Sequence, residues 1–473
     1  MYKGGNCMRD EPITSRAARR KRQRRKRHWW YLPTGILLIA AALGGGYYVY
    51  SQQEEVKAQR AEEERKAKVY QQALAAAKEE ALTNIATDGL EEQTAQDGNI
   101  DSLLYLDPND EELNQTLTET AQQAADFSQG LVVGWIDRQD SDKFKKLQPK
   151  IVAYQWDEGT EKLNEQPIPA IEGRYVSKKT GKVPTPAEIF PDQQTFAAGF
   201  RYLKQALLDS QQLSYEEARQ LSAPKLADVE TAAFHPEDIQ LKLPGFDKAV
   251  ALDLNTLAPY LEPDFVQAKQ PKKVVALTFD DGPNPDTTTQ LLKTLEEKQV
   301  HATFFMLGRS AEAFPETAKK VADAGHAIAN HSYDHPDLAT LSAEQVRDQL
   351  ARTDKILYDA TGKLPVAMRP PYGSVVESTV AAIDLPIIHW DVDSEDWASR
   401  NVKKIVKQVN DTIDDRSVIL LHDIHQESVD SVGELIDSLH KKGYTFTSLE
   451  GVYGPLYDKY QYYGGIFETI PYS

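Results

Sequence analysis

The chain has 473 residues, enough for roughly two to four domains. Its 54 Lys and Arg against 72 Asp and Glu give a net charge of −18, but residues 1–27 hold 11 basic and 2 acidic side chains, so the remainder carries −27. So acidic a body excludes nucleic acid as a partner, since phosphate binding needs clustered cations, and the single cysteine, Cys7, leaves no partner for an intramolecular disulfide.

The first predicted element follows the basic run. Residues 29–50 form 22 positions without a charge, and a helix rising about 1.5 Å per residue would cross a hydrocarbon core of about 30 Å over that length. Trp29, Trp30 and Tyr31 at one end and Tyr47, Tyr48 and Tyr50 at the other read as interfacial belts, with the basic side kept in the cytoplasm. The expectation is a basic cytoplasmic tail at 1–27, a transmembrane anchor at 28–50 and an extracellular remainder: a single-pass protein of the cell membrane. A cleaved secretory signal is the alternative, kept open by the small residues Ala41, Ala42 and Gly44. Residues 51–96 are dominated by Glu, Gln, Ala, Lys and Arg, and predict a solvated helical stalk.

From residue 97 the texture becomes mixed. Val132, Val133, Trp135 and Ile136 predict one strand and Ile151, Ala153 and Tyr154 another. Residues 174–177 form a third, reaching a turn at Thr180-Gly181, and Tyr202, Leu203, Ala206 and Leu207 recur at helical spacing. This is a smaller α+β domain over 97–265, without a catalytic constellation.

Residues 266–473 are regular. Strands are expected at 274–278, 302–307, 326–329, 366–369, 387–390, 418–421 and 445–448, with helices at 287–297 and 311–324. Another helix opens on the capping pair Ser342 and Gln345. Alternating strand and helix implies a parallel sheet, open or closed into a barrel, with its chemistry at the carboxyl ends of the strands.

Five polar clusters fall at those ends. Asp280 and Asp281, in Thr278-Phe279-Asp280-Asp281-Gly282-Pro283, can reach one pocket, one as metal ligand and the other as base, although Asp-Asp-Gly-Pro also makes an ordinary turn. His331 and His335, four apart, can converge on one ion if the stretch makes a helical turn, and neutral imidazole suits zinc and related ions. Arg369, before Pro370-Pro371-Tyr372-Gly373, can hold a buried carboxylate or merely decorate a rigid loop. Asp391, Asp393, Glu395 and Asp396 stand beside Trp397, a pattern that fits an acidic loop equally well. His422 directly follows the apolar run ending Leu420-Leu421.

In this order and spacing the five clusters resemble the motifs of carbohydrate esterase family 4, the NodB-homology polysaccharide deacetylases, over roughly residues 270–450. Thr-Phe-Asp-Asp-Gly-Pro and Arg-Pro-Pro-Tyr-Gly match without substitution. With anchor, stalk and middle domain, the layout resembles Gram-positive peptidoglycan N-acetylglucosamine deacetylases. The resemblance implies a distorted (β/α) barrel in which Asp281, His331 and His335 hold one divalent ion, zinc first, with cobalt and others admitted. It implies Asp280 as general base held by Arg369, and His422 as general acid oriented by Asp396. The backbone N–H of Tyr372 would serve the oxyanion, and Trp397 and Leu420 would wall an acetyl slot. The implied substrate is the peptidoglycan glycan strand, with loss of acetate and resistance of the wall to lysozyme as its consequence. Deacetylation of chitin-like, exopolysaccharide or xylan polymers, and non-catalytic wall binding, are the other readings.

Asp391 and Asp393 are read as shaping their loop, and His301, His326, His389, His425 and His440 as structural. The tyrosines of 451–473, with Phe467, are expected to pack the chain end onto the barrel, stacking on sugar being the alternative.

Overall fold

The structure is a computed structural model that describes residues 31–83, 85–265, 273–464 and 469–471. The expected basic tail and Cys7, the first residues of the expected anchor, Phe467 and Tyr472 lie outside them, as do the side chains of 31–43. Among the described residues no helix is long and apolar enough to cross a membrane. The chain forms two compact units, one of residues up to 135 with 151–169, the other of 136–150 with 170 onward.

The first unit holds a 52-residue helix, α1 (Tyr31–Leu82), strands β1 (Glu91–Asp97) and β2 (Ile100–Leu106), helix α2 (Glu111–Ala124) and the beginning of β3 (Gly130–Asp140). It also takes the end of β4 (Phe144–Asp157) and all of β5 (Lys162–Gln166). Strand alternation sorts the sheet's side chains onto two faces. Leu103, Tyr105, Leu131 and Val133 pack on Tyr70, Leu74 and Ala77 of α1, whereas Leu104, Val132 and Ala153 pack on Ala121 of α2. The expected stalk is therefore helical but shorter and partly buried: it ends at Leu82, its last turns contribute to a core, and Glu91–Asp97 is an exposed edge strand paired with β2. Sparse apolar residues at a spacing of three and four suffice for one buried stripe, which overall composition conceals.

The second unit does not respect the expected boundary at 265. Residues 170–265 belong to it together with the barrel. Strand β6 (Arg174–Ser177) lies antiparallel to the start of β4, α3 (Gln193–Asp209) follows, and β7 (Glu230–Phe234), β8 (Asp238–Lys242) and β9 (Val250–Asp253) make a small antiparallel sheet. Their shared core is aromatic, with Phe144, Tyr175, Phe196, Phe234, Tyr260 and Phe265 buried.

The barrel begins with β10 (Val274–Asp280), followed by α4 (Thr287–Lys298), β11 (Thr303–Met306), β12 (Ala327–Asn330) and α5 (Ala343–Thr361). Then come the short strands β13 (Ile387–Ile388) and β14 (Val392–Asp393), α6 (Val402–Thr412), β15 (Ser417–His422), α7 (Gln426–Lys441) and β16 (Thr445–Phe446). Strands β12, β11, β10, β15 and β14 are parallel neighbours in that order. Residues 366–369 stay extended but bridge only through Met368, to Asn330 on one side and Ile387 on the other. Because β13 and β14 are two halves of one interrupted strand, the ring closes through residues 387–393, which accounts for a distorted barrel. The expected helix over 311–324 is broken into Gly308–Ala313 and Pro315–Asp323, since Pro315 lacks the N–H that would continue it. At the chain end β17 (Tyr460–Tyr462) pairs with β13, Tyr462 is buried, and Tyr463 stacks on His389 with centroids 4.2 Å apart.

Register decides what enters the ring. Val275, Leu277 and Phe279 of β10 and Ile419 and Leu421 of β15 pack in the large apolar cluster with residues of the surrounding helices, whereas Ala276 and Val418 belong to a second cluster with Phe305, Ala329 and Ile388. Thr278 and Asp280 continue the Ala276 face, paired with Leu420 and His422. Moving up the barrel, apolar side chains give way to polar ones.

Candidate active site

Asp280 is the last residue of β10 and is buried. Its Oδ1 accepts a hydrogen bond of 2.8 Å from Arg369, which is wholly buried. That guanidinium also donates to the Thr278 hydroxyl at 2.8 Å and to the carbonyls of Ile388 and His389 at 3.2 and 3.1 Å, and lies over the Phe305 ring at 4.2 Å. Every nitrogen of the guanidinium thus has a partner, four bonds in all, which a buried cation requires. Burial pushes the Asp280 carboxyl above its ordinary range, and the Arg369 charge opposes that.

Asp281, His331 and His335 present ligand atoms that all lie within 4.8 Å of one another. Both Nε2 atoms face Asp281 Oδ1, at 3.6 Å from His331 and 3.5 Å from His335, and that oxygen is buried without a hydrogen-bond partner. Ligands about 2.0–2.1 Å from a tetrahedral ion stand about 3.3 Å apart, so the set fits a divalent cation. The His331 Nδ1–H donates to the Arg369 carbonyl at 2.7 Å, which turns Nε2 inward, and burial pushes this imidazole down to about 3, keeping it neutral as a ligand must be. The histidines converge without the helical turn that their spacing of four made a condition. Their segment is a loop with left-handed backbone at Ser332 (φ 67°) and His335 (φ 66°). Asp281 (φ 79°), Tyr372 (φ 61°) and Glu395 (φ 52°) share that conformation, which costs a side-chain-bearing residue about 1–2 kcal/mol.

His422 ends β15. Its Nδ1–H donates to Asp396 Oδ1 at 2.8 Å, leaving Nε2 as the free ring nitrogen of this pair. Asp396 is fully buried and also accepts from the His422 backbone N–H (2.8 Å), the Trp397 N–H (2.8 Å) and the Ser428 hydroxyl (2.5 Å). Burial alone would push the His422 pKa down; the bond and charge of Asp396, with Asp280 and Asp281 nearby, raise it to about 9.

The remaining expected residues fall at the same end. Tyr372 is exposed and meets the His335 ring edge-on at 4.6 Å. Leu420 is buried on the inward face below His422, and the indole of Trp397 is half exposed. Asp391 accepts from the Ser417 hydroxyl and the Val418 N–H, both at 2.6 Å, and Asp393 from the Glu395 N–H at 2.8 Å, so both shape their segment.

Sequence reasoning missed the supports. Thr278 was visible as the residue two before Asp280, hence on its face; Ser428, 32 positions from Asp396, left no signal. Asn330 caps the histidine loop through Ser332 N–H (2.7 Å) and is itself held by donating to Asp354 (2.7 Å). Asp423 is fully buried, accepts from the Thr288 hydroxyl, and is raised to about 7 by burial and then by the charge of Asp281. A Cβ on Gly282 would stand 2.2–2.6 Å from this carboxyl. Gly282→Ala should therefore destabilise the chain by about 1–3 kcal/mol and weaken binding of a divalent cation by displacing Asp281, measured by melting temperature and by metal titration.

The sequence profile described as polysaccharide deacetylase matches residues 267–385. Peptidoglycan-N-acetylglucosamine deacetylase PgdA of Listeria monocytogenes is 37% identical over 219 residues, covering 46% of this chain and 47% of that protein. Peptidoglycan-N-acetylmuramic acid deacetylase PdaC of Bacillus subtilis is 41% identical over 184 residues, 38% of this chain and 39% of its own length. A peptidoglycan-N-acetylglucosamine deacetylase of Bacillus cereus is 38% identical over 189 residues, 38% of this chain and 69% of its length. The chain thus spans less than half of the first two relatives.

Proposed function

We propose, for a chain that belongs to the polysaccharide deacetylase family, that it removes the N-acetyl group from N-acetylglucosamine of peptidoglycan, releasing acetate and leaving glucosamine. The observation that carries this reading is two proton carriers beside a three-ligand cation site, each tied to a fully buried partner: Asp280 to Arg369 and His422 to Asp396. Asp281, His331 and His335 would hold a divalent cation, zinc first, which supplies polarisation of the acetamide carbonyl and a water of lowered pKa.

The protein's own groups do the rest. Asp280 accepts a proton from the attacking water, its oxygen kept in place by Arg369. The Tyr372 backbone N–H donates to the carbonyl oxygen as negative charge gathers there. His422, kept cationic by Asp396, delivers its proton to the amide nitrogen, without which an amine does not leave. Trp397 and Leu420 close around the acetyl methyl.

The uncharged run at 29–50, placed after a basic segment, supports a membrane address with the catalytic half outside, where wall glycan lies. The full chain incubated with acetylated wall glycan should release free amine and acetate. Chelation should abolish release, and zinc or cobalt should restore it. His331→Ala, which removes a ligand outright, should weaken metal binding by at least the roughly 10–100-fold that loss of a ligand's hydrogen-bond partner costs. Amine release indifferent to chelation rejects the reading. Product analysis by sugar identifies a preference for N-acetylmuramic acid, the substrate named for the Bacillus subtilis relative, and faster turnover of chitooligosaccharide or acetylxylan moves the substrate to another polymer.

A further inference from the structure

Helix α3 lies outside the region matched by the family profile, yet its polar face is bonded to the barrel's base. Gln205 donates to the Gly362 carbonyl (2.9 Å) and accepts from the Leu364 N–H (2.8 Å). One turn earlier, Arg201 donates through one terminal nitrogen to the Val366 carbonyl and through the other to the Leu456 carbonyl (2.8 Å) and Asp458 (3.0 Å). Its side chain is 13% exposed.

These acceptors belong to two neighbours of one strand. Val366 opens the extended segment that ends at Arg369, and Leu456 leads into β17, which pairs with β13. Between them runs 387–389, whose Ile388 and His389 carbonyls fix the Arg369 guanidinium. The Arg201 fork thus clamps both sides of the strand that cradles Arg369, three residues or about 10 Å below it. We propose that Arg201 is a positioning residue for the Asp280–Arg369 pair, making the 170–265 region part of the catalytic apparatus; the catalytic half of this inference rests on the reaction proposed above.

The test uses the full chain with Arg201→Ala, Arg201→Lys and, as an interface control, Lys363→Ala, which removes only the exposed 3.2 Å pair with Asp209. Arg201→Ala should lower kcat about tenfold with KM within about twofold, since misplacement far from the chemistry acts on the reacting geometry. Hydrogen exchange should accelerate at the Met368, Ile388 and His389 amides, which bond across these segments, and not at the Phe279 amide. Arg201→Lys should recover part of both, and Lys363→Ala should change neither. Unchanged exchange at the three amides, or uniform acceleration with a lowered melting temperature, overturns the proposal. Local acceleration with kcat unchanged overturns positioning too. Local acceleration in a chain whose wild type releases no acetate supports the tie to Arg369 and refutes the reaction.

Discussion

Asp280→Asn should lower acetate release by about 10²–10⁴-fold, the usual worth of a positioned base, while the chain still folds and binds a divalent cation. Asparagine keeps the shape and one oxygen for Arg369 but cannot take a proton at working pH. The cost is asymmetric. Among the described residues Arg369 loses its one carboxylate partner yet keeps Thr278 and two carbonyls, so destabilisation should stay below the roughly 3–5 kcal/mol of a fully broken buried pair. His422→Ala should be as damaging to turnover and gentler on stability, because Asp396 retains its bonds from Ser428, Trp397 and the His422 backbone. Single-turnover acetate release together with a denaturant midpoint for each variant checks both halves. Activity within tenfold of wild type in either variant removes that residue from the reaction.

Asp396→Asn should shift the alkaline limb of the rate–pH profile toward neutrality. With Asp396 ionised, its hydrogen bond and charge outweigh burial and raise the His422 pKa from the ordinary 6.5 to about 9. In the general-acid role proposed for it His422 works protonated, so wild-type activity should decline as pH rises through that range, and without the carboxylate the decline should begin near the ordinary histidine value. A bound dication also repels the imidazolium, so variant and wild type are compared under equal metal loading and the difference between limbs is the readout. The same shift is a stability statement. A raised folded pKa contributes fully below about 6.5 and is lost as pH climbs through about 9, amounting to about 3 kcal/mol at about 1.4 kcal/mol per unit. Asp396→Asn should flatten that loss. A limb that does not move assigns the proton to another donor.

Much of this site could be read from residue order because barrel topology does the sorting. A polar residue following an apolar strand lands at the carboxyl end, so Asp280, His331, Arg369 and His422 were locatable without coordinates. What topology does not encode is contact between distant segments. The bond from Ser428 to Asp396 and the seating of Asp423 against Gly282 depend on helix placement, which carries no local pattern. A helical turn was the condition that the spacing of His331 and His335 set for convergence, and it is met otherwise: Asn330 and the two left-handed residues bend a loop to the same end. The boundary at 265 failed because Arg201 and Gln205 spend their polarity on barrel carbonyls, and a hydrogen-bonded face looks like a solvent face when read as sequence.

The positive φ angles at Asp281, Ser332, His335, Tyr372 and Glu395 bear on how this protein can be engineered. Each is a place where glycine or asparagine would relax the backbone. A directed-evolution campaign that screens for heat tolerance alone would therefore enrich substitutions at these corners, and those at Asp281 and His335 would cost the cation a ligand. Screening has to couple survival to turnover from the first round.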